Sequence, residues 1–135
     1  MSGIRDPEAV LKLDFSFAKA CLTDQDFSLS DPVGERFNAW YGGRDWLKSQ
    51  NVVKGTTFYR SCGDVHIFYL IIKTHNYSYA STSDITSSLQ NMLTQTAGHS
   101  ITKIAFSKIT LPELTKTTLQ ALLTGLGSQI QFSVI

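Results

Sequence analysis

The chain is short of the features that announce most functional classes. Charged residues make up only 17% of its 135 positions, and Lys and Arg nearly balance Asp and Glu, giving a formal net charge of +1. Nucleic-acid and membrane surfaces built on bulk charge need a basic excess, so we expect neither partner on that ground. Two cysteines, Cys21 and Cys62, are too few for a disulfide scaffold and too far apart for a metal knuckle. A reducing compartment is the default for such a chain, and we expect a cytoplasmic or nuclear location. No apolar stretch reaches membrane-spanning length; the longest, around Val65–Ile72, carries His66. Met1–Val10 lacks a basic start followed by an apolar run, so no secretory signal is read there.

Chemical motifs are equally sparse. There is no G-x-S-x-G elbow, no Walker loop, no G-x-G-x-x-G, and no H-x-x-x-H, H-x-E or C-x-x-C spacing. His66, His75 and His99 are scattered, with no cysteine or serine paired to them by sequence. We therefore expect no metal site, no cofactor, and no hydrolase of the Ser or Cys type.

What is present is an alternation of strands and helices. Hydrophobic content of 42% suits a packed domain, and we read residues 1–135 as one. Val10–Phe17 (VLKLDFSF) alternates apolar and polar residues and predicts a strand; Phe17–Thr23 can form a second. Asp31-Pro32 is a helix start, with Asp as cap and Pro at the first helical position. Gly42-Gly43 ends that helix, and Arg44–Gln50 can add a turn. Thr56–Arg60 and Val65–Lys73 predict a hairpin, the second strand (VHIFYLIIK) apolar enough to be covered on both faces.

Ile85, Leu89, Met92 and Leu93 then recur at helical spacing, and Ile101–Phe106 predicts a strand. Thr110-Leu111-Pro112-Glu113 is a capping box for a further helix, and Gln129–Ile135 predicts the last strand. This order implies a mostly parallel sheet with helices on both faces. In such sheets ligands bind beyond the carboxyl ends of strands.

Three features fall at those ends. The helix starts at Ser30–Gly34 and at Thr110–Glu113 present free N–H groups suited to phosphate, but Asp31 and Glu113 can occupy those groups as plain caps. Lys73 ends the apolar strand, where a lysine can bind an anion, act as a nucleophile, or simply reach solvent.

Several of these stretches together resemble the macro-domain family, and in particular its terminal ADP-ribose protein glycohydrolase branch. HIFYLIIK resembles the strand that ends in the branch's catalytic lysine, and Lys73 falls on that position. LSDPVGERFNAWYGG (Leu29–Gly43) resembles the Gly-rich loop and helix, and Lys12-Leu13-Asp14 the Lys-Gly-Asp whose Asp reads adenine. Two departures fall on the chemistry. Leu29-Ser30-Asp31-Pro32 stands where the family has a Met-Gly-Ala-Gly type turn. Ser107–Pro112 stands where the branch has a Gly-Cys-Gly-Leu-Asp loop, so the catalytic Asp is missing, with Asp26 or Glu113 as the loosely placed replacements.

The resemblance implies a macro-domain-like three-layer α/β/α fold with a mixed, mostly parallel sheet. It implies binding of ADP-ribose or an ADP-ribosylated protein, with ADP-ribosyl hydrolase activity weak or lost. An active hydrolase using Lys73 and a ligand-free protein-interaction module are the alternatives. The implied pocket has Asp14 at the adenine and Leu22, Ser30, Asp31, Val33 and Gly34 along the first loop. Lys108, Ile109 and Thr110 line the second loop, and Lys73 stands at the reacting ribose.

Overall fold

Residues 6–107, 120–121 and 130–135 are described by the computed structural model of this chain. Five strands form one sheet: β1 (Ala18–Asp24), β2 (Thr56–Cys62), β3 (Val65–Lys73), β4 (Lys103–Phe106) and β5 (Gln131–Val134), in the order β2-β3-β1-β4-β5. β2 runs antiparallel to β3; every other pairing is parallel. Three α-helices are complete among the described residues, α1 (Pro32–Tyr41), α2 (Arg44–Lys48) and α3 (Thr82–Thr96), and a short 3-10 helix, Ala97–His99, follows α3.

Strand periodicity sorts the core into two layers. Successive strand residues face opposite sides of a sheet. Ala20, Leu22, Phe68, Leu70 and Ile104 therefore pack on one side against Ile85, Leu89 and Met92 of α3. Cys21, Ile67, Tyr69 and Ile71 pack on the other against Phe27, Val33, Phe37 and Leu47, from the β1–α1 loop, α1 and α2. The result is a three-layer α/β/α fold with a mixed, mostly parallel sheet. β3 lies between β2 and β1 with Ile67–Ile71 fully covered, as its unbroken apolar run predicts.

Most predicted elements appear close to their expected places. α1 starts at Pro32 with Asp31 as its cap and stops at Gly42, whose φ of 63° suits glycine. α3 is capped by Ser81, which accepts from Asp84 N. Side chains of α3 also satisfy the outer edge of β2: Asn91 accepts from Thr57 N at 2.8 Å, and Gln95 donates to Thr57 O at 2.8 Å. The capping box at Thr110 lies outside the described residues; of the helix expected after it, Gln120 and Ala121 are described and helical.

One element differs. Val10–Phe17 is not a strand. Residues 7–13 coil in helical turns, with Lys12 N donating to Glu8 O at 3.1 Å and Leu13 N to Val10 O at 3.3 Å. Val10 and Leu11 are both buried, and neighbouring residues of a strand cannot face the same side, whereas a helical turn places both against one surface. The first strand begins at Ala18.

Candidate functional site

The carboxyl ends of β1 and β3 finish side by side. Their register runs from Lys19 opposite Ile67 to Thr23 opposite Ile71, then slips so that Asp24 meets Lys73. The slip is a bulge, a common device for re-aiming side chains at a site. Connections also diverge between β1 and its neighbour β4: the chain leaves β1 through α1 and α2 for β2 on one side of the sheet, while β4 leads to β5 on the other. Divergence of that kind opens a crevice at the strand ends.

Beyond β1 the chain folds around its last carboxylate. Asp24 is 2% exposed. It accepts from Asp26 N at 2.9 Å, from Ser28 N at 3.2 Å, and from the Ser28 hydroxyl. Burial of an unsatisfied carboxylate is costly, and these donors offset that cost. Phe27 and Leu29 adopt φ of 46°, a strained choice for both, and each thereby buries its side chain in the core. Arg44 Nε holds the loop from α2 by donating to Phe27 O at 2.9 Å.

A cavity of about 290 Å³ lies above this loop. Leu22, Thr23 and Asp24 form its floor; Ser28, Ser30 and Asp31 line one side; Ile72, Lys73 and Asn76 line the other. Its two sides are tied together. Gln25 N donates to Lys73 O at 3.0 Å, and Asn76 Nδ2 donates to Ser30 Oγ at 3.4 Å. His75 Nδ1 lies 2.5 Å from Asp26 Oδ2. The Lys73 amine donates to Asn76 O at 2.8 Å, so the chain just past β3 curls back over the strand's last residue.

Charge in the cavity is mixed. Lys73 is the one cation among the described lining residues; Asp24 and Asp31 are the acids. At the N-terminus of α1 the Asp31 carboxylate accepts from Gly34 N at 3.3 Å, so the group that would hold a phosphate there already has an anionic partner.

The expected site residues divide accordingly. Leu22, Ser30, Asp31 and Lys73 come together at the cavity. Val33 faces the core, 1% exposed. Gly34 serves packing: a Cβ there would stand 2.9 Å from Leu29 Cα and 2.5 Å from Asp31 Oδ1.

Asp14 stands before the amino end of β1, at the edge away from the cavity. Its carboxylate accepts from Ser16 N at 2.9 Å and from the Ser16 hydroxyl, and these bonds hold it below the usual carboxylate range. Its place follows from the helical turns at residues 7–13, because Asp14 leads into β1 instead of ending an earlier strand. Lys108, Ile109, Thr110 and Glu113 lie outside the described residues.

Sequence reasoning missed Thr23, Asp24, Ser28, Ile72 and Asn76. Asp24 carried a usable signal. An Asp with backbone donors and a Ser shortly after it is a local capping pattern, and it began where an apolar strand stopped.

Compared by sequence, the chain matches no family model and no curated protein. Solved structures do share its fold. The macrodomain of Mycobacterium tuberculosis DarG matches 98% of this chain and 93% of its own, with a TM-score of 0.80 at 16% identity. The macrodomain of Thermus aquaticus DarG matches 97% of this chain and 94% of its own, with a TM-score of 0.79 at 14% identity. Thermosipho africanus DarTG in complex with ADP-ribose matches 90% of this chain and 40% of its own, with a TM-score of 0.67 at 13% identity. The chain has the macrodomain fold.

Proposed function

We propose that the cavity at the ends of β1 and β3 binds ADP-ribose or a related nucleotide, with ADP-ribosyl hydrolase activity weak or lost. The observation that carries the reading is the position of Lys73: the one cation among the described lining residues, at the carboxyl ends of central strands. A protein of the same fold is described in complex with ADP-ribose. An ammonium there offers a charge-assisted bond to a pyrophosphate oxygen.

Three features support weak catalysis. The Lys73 amine is engaged by Asn76 O and would have to leave it to attack a ribose carbon. Asp24 already accepts from three donors, and Asp31 caps α1. Both carboxylates among the described lining residues thus already serve the fold. Cys21 and Cys62 are free thiols, which fits a reducing, intracellular setting.

Titration calorimetry with ADP-ribose tests the reading. We expect a Kd tighter than about 1 mM, equivalent to about −4 kcal/mol. Lys73→Ala should weaken it about tenfold, or about 1.4 kcal/mol. Binding weaker than about 1 mM would leave the half-exposed Trp40 and Trp46 as the basis of a protein-interaction module instead. Release of ADP-ribose from a modified protein at a rate abolished by Lys73→Ala would make the chain an active hydrolase.

A further inference from the structure

We infer that Tyr77, stacked on His75, is a docking shelf for a planar ring carried by the bound nucleotide. The inference rests on the nucleotide reading of the neighbouring cavity. Tyr77 is 81% exposed, although an aromatic ring of that size gains from burial. It is nevertheless held. Its ring lies on that of His75 with centroids 5.0 Å apart and planes 21° from parallel. His75 is itself fixed by Asp26 on the opposite loop, Nδ1 to Oδ2 at 2.5 Å.

The turn that carries both rings is closed from each side. Ser78 N donates to His75 O at 3.0 Å, and His75 N donates to Ser78 Oγ at 3.3 Å. Between the two rings in sequence sits Asn76, which lines the cavity and accepts from Lys73 Nζ. A rigid, exposed π-surface therefore begins where the cavity ends. Tyr79, two residues further on, is fully exposed and makes no ring contact among the described residues. The contrast separates a ring that is presented from one that is merely outside.

An exposed aromatic stacks on any nucleobase-like ring, because every such ring offers a π-face. Two parts of the ligand could supply it: the adenine of ADP-ribose, or a ring attached to the anomeric carbon of the far ribose, as in NAD+. Titrations of ADP-ribose, AMP, NAD+ and ribose 5-phosphate against wild type, Tyr77→Ala, Tyr77→Phe and Tyr79→Ala distinguish them.

Tyr77→Ala should lose about tenfold in affinity for a ring-bearing ligand and nothing for ribose 5-phosphate. Tyr77→Phe and Tyr79→Ala should match wild type. Equal losses for ADP-ribose and AMP would identify adenine as the ring; a loss confined to NAD+ would identify the ring on the far ribose. If wild type binds ADP-ribose and Tyr77→Ala binds every ligand as tightly, the shelf is overturned and the nucleotide reading stands. An equal loss for ribose 5-phosphate likewise overturns the shelf, since a general loosening of the loop would then be the cause. A wild type that binds none of the four ligands overturns both.

Discussion

Lys19 and Asp24 occupy opposite ends of β1, and both are charged side chains taken almost wholly out of water, 1% and 2% exposed. Each is satisfied chiefly by backbone. Lys19 Nζ donates to Leu13 O at 2.7 Å and to Asp14 O at 3.1 Å, at the carbonyl end of the helical turns that precede the strand. Asp24 receives the N–H groups of the turn that follows it. The polarity is complementary in each case, since carbonyl ends favour cations and free N–H groups favour anions.

Their surroundings differ. Lys19 fastens residues 7–13 onto the sheet and seals that edge. Asp24 folds a loop whose other side lines the cavity. The same device thus closes one end of the strand and shapes the open one. A buried charge marks function only where the groups around it remain reachable.

The largest effect should come from breaking the sealed end. Lys19→Ala removes a buried stem and leaves two carbonyl groups without their donor. We expect a loss of about 2–4 kcal/mol in unfolding free energy by chemical denaturation. Lys19→Met keeps the stem and should recover part of it. If both variants match wild type, Lys19 is not what holds the helical turns in place.

At the open end the expected cost is smaller. Asp24→Ala orphans the N–H groups of Asp26 and Ser28 and should cost about 1–3 kcal/mol. Asp24→Asn keeps an acceptor for those N–H groups and can donate to the Ser28 hydroxyl, so it should stay within about 1 kcal/mol of wild type. It also removes a negative charge from the cavity, and phosphate-bearing ligands should bind it a few-fold more tightly. An Asn variant as unstable as the Ala variant would mean that the charge of Asp24, and not its geometry, holds the loop.

The two ends also differ in how far sequence reveals them. The α/β order could be read because β3, α1 and α3 carry strong local signals: an unbroken apolar run, Asp31-Pro32, and Ile85, Leu89, Met92 at helical spacing. Val10–Phe17 reads as a strand because Leu11, Leu13, Phe15 and Phe17 alternate, but over so short a span that pattern does not decide the conformation. In the structure Val10 and Leu11 are both buried, and Lys19, five and six residues on, donates to the carbonyls of Asp14 and Leu13; the alternation of apolar residues shows neither. The same expectation places Asp14 at the end of that strand, whereas in the structure Asp14 leads into β1. Lys73, Ser30 and Asp31 were recoverable because each sits at an element boundary. Asn76 was not, since its place depends on a loop folding back onto Lys73.

The smallest effect separates the charge of Lys19 from its hydrogen bonds. Burial pushes its pKa below the usual 10.5, partly countered by the Asp14 carboxylate nearby. The unfolded chain therefore holds this proton to higher pH than the folded chain. Stability should rise with pH between the lowered folded value and 10.5, because the unfolded state then binds more protons. The neutral amine still has two N–H donors for its two carbonyls, so deprotonation need not break the fastening.

Other groups act in the opposite sense. Burial raises the phenols of Tyr41 and Tyr69 above 10.0 and the Cys21 thiol well above 9.0. Each costs stability as the unfolded form ionises first. Lys12, raised by its hydrogen bond to Asp6, loses stabilisation only above 10.5. The measurement is therefore a difference: unfolding free energy of wild type minus that of Lys19→Met, followed from neutral pH to about pH 10. That difference should shift in favour of wild type as pH rises. A flat difference would show that Lys19 is as easily protonated in the folded chain as in the unfolded one, and that the carbonyl end of the helical turns fully compensates for the water it lost.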